Sequence, residues 1–173
     1  LGLVTLRAGS KYGVQLWFWG LLPALAILLM LGNFMPMLLL TVVLVGSLML
    51  RQTASWSYAL MSLTAAGLFA SLMLEWVAQD SLNVYVGLIE KLLTDLKQQL
   101  ADPEMQKALP DTISTAFIAG MFGVVLSVCS FLALTLARYW QAGLYNPGGF
   151  RQEFHNLRLS RTWLVITLLL LAL

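Results

Sequence analysis

Residues 138–161, RYWQAGLYNPGGFRQEFHNLRLSR, decide how the rest of the chain is arranged. This segment lies between two apolar runs, Thr112–Ala137 and Thr162–Leu173, and it holds four of the ten basic residues and the one histidine. Its Asn-Pro-Gly-Gly sequence at 146–149 predicts a turn, because proline fixes one φ angle and glycine permits positive φ. A basic segment with a turn between long apolar runs is typical of a connection between membrane spans.

The composition excludes an ordinary soluble domain. Of the 173 residues, 60% are hydrophobic and 10% are charged, with a mean hydropathy of +0.82, whereas soluble domains carry about 25% charged residues. The apolar runs approach or exceed the roughly 20 residues that cross a bilayer as a helix. Runs such as Leu21–Leu31 do not alternate between apolar and polar residues, as strands of a membrane barrel would. The sequence therefore predicts an all-α, polytopic integral membrane bundle.

We expect one transmembrane domain over residues 1–173, with about six spans. Four are complete, at about 12–31, 35–50, 55–77 and 112–136. Residues 1–6 and 162–173 are apolar up to the two ends of the sequence, so we expect these two spans to be cut short.

Residues 78–111 differ from the spans because they contain most of the acidic residues. Within them, the pattern predicts an amphipathic helix from about Leu82 to Leu100, since apolar residues recur at helical spacing and charged residues fill the other face. We interpret its apolar face as a candidate lid over the span ends; the residues are Leu92, Leu93, Leu96 and Leu100.

Basic and acidic residues separate when the spans alternate across the membrane. One side then holds a single acid, Glu153, and seven basic residues, namely Arg7, Lys11, Arg51, Arg138, Arg151, Arg158 and Arg161. The other side holds the remaining acids and three lysines. The positive-inside rule predicts that segment 138–161 is cytoplasmic and that segment 78–111 is periplasmic or extracellular.

Three stretches carry a resemblance to a known family. WQAGLYNPGGFRQEFHNLRLSR, LVTLRAGSKYG near the start and the RQTASW turn resemble the YybS-like family of uncharacterised bacterial membrane proteins. That family is similar in predicted fold to the S-components of energy-coupling-factor transporters, which bind vitamins or metal ions. The resemblance implies a multi-pass protein of the bacterial inner membrane, with a coupling protein and an ATPase module as partners.

Signatures of catalysis are missing from the sequence. There is one histidine, no HExxH, GxSxG or P-loop motif, and no pair of carboxylates within a span. Glu75 lies beside Trp76 near a span end, where an interfacial position is the simpler explanation. Cys129 is the one cysteine, which excludes a thiolate metal cluster. We expect no enzyme activity, no cofactor, no metal site and no nucleic-acid partner.

The basic segment is also a candidate cytoplasmic docking loop. Its candidate residues are Arg138, Asn146, Pro147, Gly148, Gly149, Phe150, Arg151, Phe154, His155 and Arg158. Apolar residues at helical spacing among arginines suit a helix in the lipid interface, which we favour, or a helix that binds a protein partner.

Small residues at four-residue spacing predict a helix-packing face. They are Ser62, Ala66 and Ala70 on one span; on another, Ala116 is followed by Gly120 and Ala119 by Gly123. Such residues let helices approach closely, either within the bundle or in a homo-oligomer or coupling-protein interface.

The favoured interpretation is an S-component-like protein that binds a small solute or serves as the membrane subunit of a transport assembly. The alternative is a non-transporting scaffold whose NPGGF loop recruits a partner. If the protein binds a solute, we expect an outward-open cavity beneath Leu82–Leu100. If it is a scaffold, we expect a bundle that small residues pack closely, without such a cavity.

Overall fold

The computed structural model of the chain describes residues 1–100, 106, 109–110, 112–145 and 149–155, and these residues form helices with no strand. The helices are α1 (Gly2–Ala8), α2 (Ser10–Leu31), α3 (Met35–Thr53), α4 (Trp56–Val77), α5 (Gln79–Gln99), α6 (Thr115–Tyr145) and α7 (Gly149–His155). The all-helical prediction is confirmed. The predicted span 162–173 lies outside the described residues.

Four helices, α2, α3, α4 and α6, are long and apolar enough to cross a membrane. The first three contain 22, 19 and 22 residues, or about 28–33 Å at 1.5 Å per residue, which matches a hydrocarbon core of about 30 Å. Helix α6 contains 31 residues, or about 46 Å. The protein is thus compatible with an integral membrane location, and α6 is longer than the hydrocarbon alone requires.

Tight turns with left-handed residues join the first long helices. Helix α2 is capped after Leu31 by Gly32, which has φ 63° and donates its N–H to Leu28 O at 2.8 Å. The next helix begins with Pro36 in its first turn, where the missing N–H of proline costs no helical hydrogen bond. Helix α3 is capped after Thr53 by Ala54, a non-glycine residue with φ 49°.

The short helix α1 turns back on α2 at Gly9, which has φ 121° and ψ 165°. Glycine is almost the only residue that adopts this region of backbone space. The turn brings Thr5 so close to Gly13 that any side chain at Gly13 would overlap Thr5. Consequently one face of α1, formed by Gly2, Thr5 and Leu6, is buried beside the long helices, and Thr5 has no exposed surface.

Two apolar clusters form the core at different depths. The first joins α1, α3, α4 and α6 and contains Leu6, Val42, Leu50, Trp56, Ala59, Leu63, Leu134 and Ala137. The second joins α4, α5 and α6 and contains Leu74, Ala78, Leu82, Ile118 and Ala119. Helix α2 lies at the edge, with Gly13 and Ala24 as its buried residues, and Trp17 Nε1 donates to Thr41 Oγ1 at 3.3 Å.

Helices α4 and α6 approach most closely where two glycines face each other. A Cβ added to Gly123 would lie 2.7 Å from Gly67 O and 2.9 Å from Ser71 Cβ. Next to this contact, the Ser127 hydroxyl lies 2.9 Å from Gly123 O and 3.2 Å from Leu63 O, so that it can donate within α6 or across to α4. Backbone contact through small residues is the usual way in which membrane helices gain packing energy.

Helix α5 follows α4 after one residue, Ala78, and its first half packs on the bundle. Leu82 is buried, and Val86 and Ile89 contact the second cluster. Further along, Leu92 and Leu96 are exposed by 60% and 50%. Only the first half of α5 therefore contributes to the core among the described residues.

Gly123→Ala should destabilise the bundle by about 1–3 kcal/mol, because the added methyl overlaps the α4 backbone. Gly120→Ala is the matched control, since a Cβ at Gly120 would meet nothing within 4 Å. Unfolding in detergent, followed by circular dichroism, measures both variants. Equal stabilities of the two variants would show that α4 and α6 do not touch at this position.

Candidate functional site

Arg51, in the last turn of α3, fixes the end of α1. Its Nη1 donates to Leu6 O at 2.7 Å and to Thr5 O at 3.1 Å. The last carbonyls of a helix have no partner within the helix and carry partial negative charge. The guanidinium of Arg51 donates hydrogen bonds to two of these carbonyls and also offsets their partial negative charge. Gln141 Nε2 of α6 adds a longer contact of 3.4 Å to Leu6 O.

Arg138 binds the one acid predicted on the basic side. Its Nε and Nη2 donate to Glu153 Oε2 and Oε1 at 2.9 and 2.5 Å, a two-pronged ion pair between α6 and α7. Its Nη1 donates to Gln141 Oε1 at 2.7 Å. The side chains of Arg138 and Glu153 are 27% and 32% exposed, so solvent screens the pair only in part.

An aromatic contact holds α7 beside the ion pair. The Phe150 ring meets the rings of Trp56 and Tyr139 edge to face, with centroids 6.2 and 5.8 Å apart. Trp56 also meets Phe131 at 6.3 Å. Phe150, an apolar member of the predicted docking loop, therefore packs on this chain's own bundle.

The remaining docking-loop residues fall into two groups. Gly149 begins α7, and Arg151 and His155 are exposed, with His155 Nδ1 2.8 Å from Arg151 O. Asn146, Pro147, Gly148, Arg158 and the side chain of Phe154 lie outside the described residues. Helix α6 continues to Tyr145, so the predicted connection 138–161 is helical on both sides of 146–148.

A cavity of about 300 Å³ lies at this basic end. Its lining residues are Leu6, Leu50, Arg51, Ala54, Arg138 and Glu153. The arginines and Glu153 were visible in the sequence as charges beside spans. Leu6 and Ala54 carried no signal, because only the α1–α2 turn and the left-handed end of α3 bring them here.

A second cavity, of about 260 Å³, lies at the opposite end, where the α2–α3 turn meets the start of α5. Most of its lining is apolar, and Asn33, Ser81 and Tyr85 bring polar side chains; the other lining residues are Leu31, Gly32, Phe34, Met35, Leu74, Ala78, Leu82, Val84 and Phe122. The Oδ1 of Asn33 accepts a hydrogen bond from Met35 N at 2.9 Å. Tyr85 packs against Phe122 with ring centroids 5.3 Å apart.

The predicted lid residues lie further along α5 than this cavity. Leu92 and Leu96 are exposed, Leu93 and Leu100 are half-buried, and none of them lines it. The N-terminal part of α5 forms its wall instead.

The residues of the predicted helix-packing face have different surroundings. On α4, Ala70 is buried, and Ser62 and Ala66 are half-buried. On α6, Gly123 is buried against α4, Gly120 faces open space and Ala116 is exposed. Gly67, which the four-residue pattern omitted, forms the closest contact.

Within the described part of the chain, no three His, Cys, Asp or Glu side chains lie close enough together to hold a metal ion. Comparisons with protein-family models, with curated proteins and with solved structures found no match. The two cavities at opposite ends of the bundle are therefore the structural basis for a functional proposal.

Glu153→Gln should loosen α7, because the neutral amide cannot form the two charge-assisted hydrogen bonds to Arg138. A partly exposed pair of this kind contributes about 0.2–1 kcal/mol. We expect amide hydrogen exchange in residues 149–155 to become up to about fivefold faster. Arg151→Gln on the exposed side of α7 is the control and should leave exchange unchanged; equal exchange in both variants would contradict a role for the ion pair.

Proposed function

We propose that this protein is a membrane-embedded, solute-binding subunit of a transport assembly, of the kind that S-components represent. The observation that supports this proposal is the cavity at the α2–α3 turn, which α5 borders. It lies at the end opposite Arg51 and Arg138, which is the outward end if the positive-inside rule applies.

The volume and lining of the cavity suggest the class of solute. At about 260 Å³, it is just below the roughly 300–1,000 Å³ of typical ligand pockets, which are mostly apolar with a few polar groups. A small, largely apolar solute with one or two hydrogen-bonding groups fits this description. Ser81 and Tyr85 would supply hydroxyl groups, while Phe122 and Leu74 would pack against the apolar part.

The two connections that meet at the cavity favour a defined binding geometry. The α2–α3 turn is held by the Gly32 and Asn33 hydrogen bonds, and α5 follows α4 after a single residue. Both walls are thus held close to long helices, and side chains supported by regular elements are positioned more accurately than those on loops.

Val84→Trp tests the cavity directly, because Val84 lines it and is 63% exposed, so a larger ring can enter without disturbing the core. Leu92→Trp is the matched control on the same helix, with 60% exposure and no contact with the cavity. We expect purified wild-type protein and the Leu92 variant to retain a non-lipid small molecule, detected by mass spectrometry after solvent extraction. The Val84 variant should lose it.

Two results would contradict solute binding at this place. One is wild-type protein, purified in native lipid discs, that yields no non-lipid compound. The other is full retention of the compound by the Val84 variant.

The second candidate function is a scaffold that recruits a partner without transport. The closely packed α4–α6 contact and the docked α7 favour it, since together they give a closely packed bundle that presents the exposed Arg151 on α7. If the protein is a scaffold, we expect a partner to copurify with the Val84 variant as well as with wild type. The partner should be lost from Arg151→Glu, which reverses a charge on the exposed side of α7.

A further inference from the structure

The cavity at the basic end has one charged wall and one apolar wall. Arg51, Arg138 and Glu153 form the first, and Leu6, Leu50 and Ala54 form the second. The formal charges of the first wall add up to one positive charge. Because Arg138 forms a two-pronged pair with Glu153, Arg51 supplies the uncompensated charge among the lining residues that the structure describes.

Arg51 lines the cavity, and its described hydrogen bonds use one of its three guanidinium nitrogens. Both bonds, to Thr5 O and Leu6 O, use the same nitrogen, Nη1. An arginine carries five N–H donors in a planar fork that matches two oxygens of a phosphate group. The carbonyls that it binds carry only partial negative charge, so Arg51 keeps a net positive charge that can attract an anion.

The cavity lies at the level where headgroups are expected. Arg51 follows sixteen apolar or neutral residues of α3, and Arg138 lies about 35 Å along α6 from Thr115, at 1.5 Å per residue. Tyr139 and Trp140, directly after Arg138, are exposed by 58% and 54%. Aromatic side chains of this kind mark the boundary between hydrocarbon and headgroups.

We propose that this cavity binds the phosphodiester of an anionic lipid headgroup. Arg51 would bind the phosphate oxygens, while Leu6 and Leu50 would contact the glycerol and the first acyl carbons. A phosphodiester carries one negative charge, which matches the single uncompensated positive charge. A free phosphate dianion would be matched less well, because the carbonyl ends of α1 and the Glu153 carboxylate lie nearby.

The proposal differs from general attraction between a basic surface and anionic lipid. Arg7, Lys11 and Arg151 are exposed, and they raise the local concentration of any anionic lipid. Selective retention of one lipid molecule requires a shaped site, and this site is separate from the solute cavity at the opposite end.

Ala54→Asp and Ala54→Asn provide a sharp test. Ala54 lines the cavity with φ 49°, a left-handed conformation in which Asp and Asn are both enriched. The two side chains have nearly the same shape and differ in charge, and the Arg51 bonds to α1 are left in place. Arg151→Gln changes the net charge by the same amount as Ala54→Asp but lies outside the cavity.

Each protein is purified from vesicles of equal parts phosphatidylglycerol and phosphatidylcholine, and retained lipids are counted by native mass spectrometry. We expect wild type, Ala54→Asn and Arg151→Gln to retain phosphatidylglycerol selectively. We expect Ala54→Asp to retain at least about tenfold less phosphatidylglycerol, since a negative charge inside the site repels the phosphate.

Equal retention of both lipids by wild type would overturn the proposal, and so would equal losses in Ala54→Asp and Arg151→Gln. Displacement of phosphatidylglycerol by millimolar inorganic phosphate would overturn the lipid source, whereas resistance to displacement supports it. If Ala54→Asp does not fold, Arg51→Lys replaces it, with Arg151→Lys as control. The Arg51 variant should then lose retention, because lysine lacks the two-pronged fork, and unchanged retention would overturn the proposal.

Discussion

The close approach of α4 and α6 at Gly67 and Gly123 is the contact on which the bundle depends. Between membrane spans, lipid tails are as apolar as the side chains, so burial alone gives little reason for helices to associate. Van der Waals contacts between the helices must therefore stabilise their association, and these contacts are most numerous where backbones touch. The two glycines allow this, and the buried faces of α4 and α6 run from there towards both ends of the bundle.

The two ends of the bundle are stabilised by different interactions. At the basic end, Arg51 and Arg138 bind carbonyl and carboxylate oxygens, and Phe150 packs between Trp56 and Tyr139. At the opposite end, the second apolar cluster holds the start of α5. Each end has a cavity, but charged side chains form half of the lining at the basic end, whereas the lining at the opposite end is mainly apolar. This difference is why we propose a different kind of ligand for each cavity.

Particular residues show where prediction from sequence succeeds and where it fails. The charge of Arg138 was visible in the sequence, but its partners Glu153 and Gln141, and the continuation of α6 to Tyr145, were not. The periodicity of α5 indicated an apolar face but not which part of it docks, and Leu82 rather than Leu96 is buried. Four-residue spacing of small residues pointed to Gly123 but also to Gly120, which faces open space.

The sequence alone determined the helical class, the four long apolar helices and the positions of most turns. These properties depend on hydrophobicity, run length and the backbone preferences of glycine and proline, all of which are local. Only the tertiary structure decided which face of each helix is buried and which residues meet at its ends. A membrane span is apolar on every side, so its periodicity does not identify the buried face. Arg51 contacts Thr5 and Leu6, and Phe150 contacts Trp56. These partners lie far away in sequence, and contacts between distant residues exist only once the helices have packed.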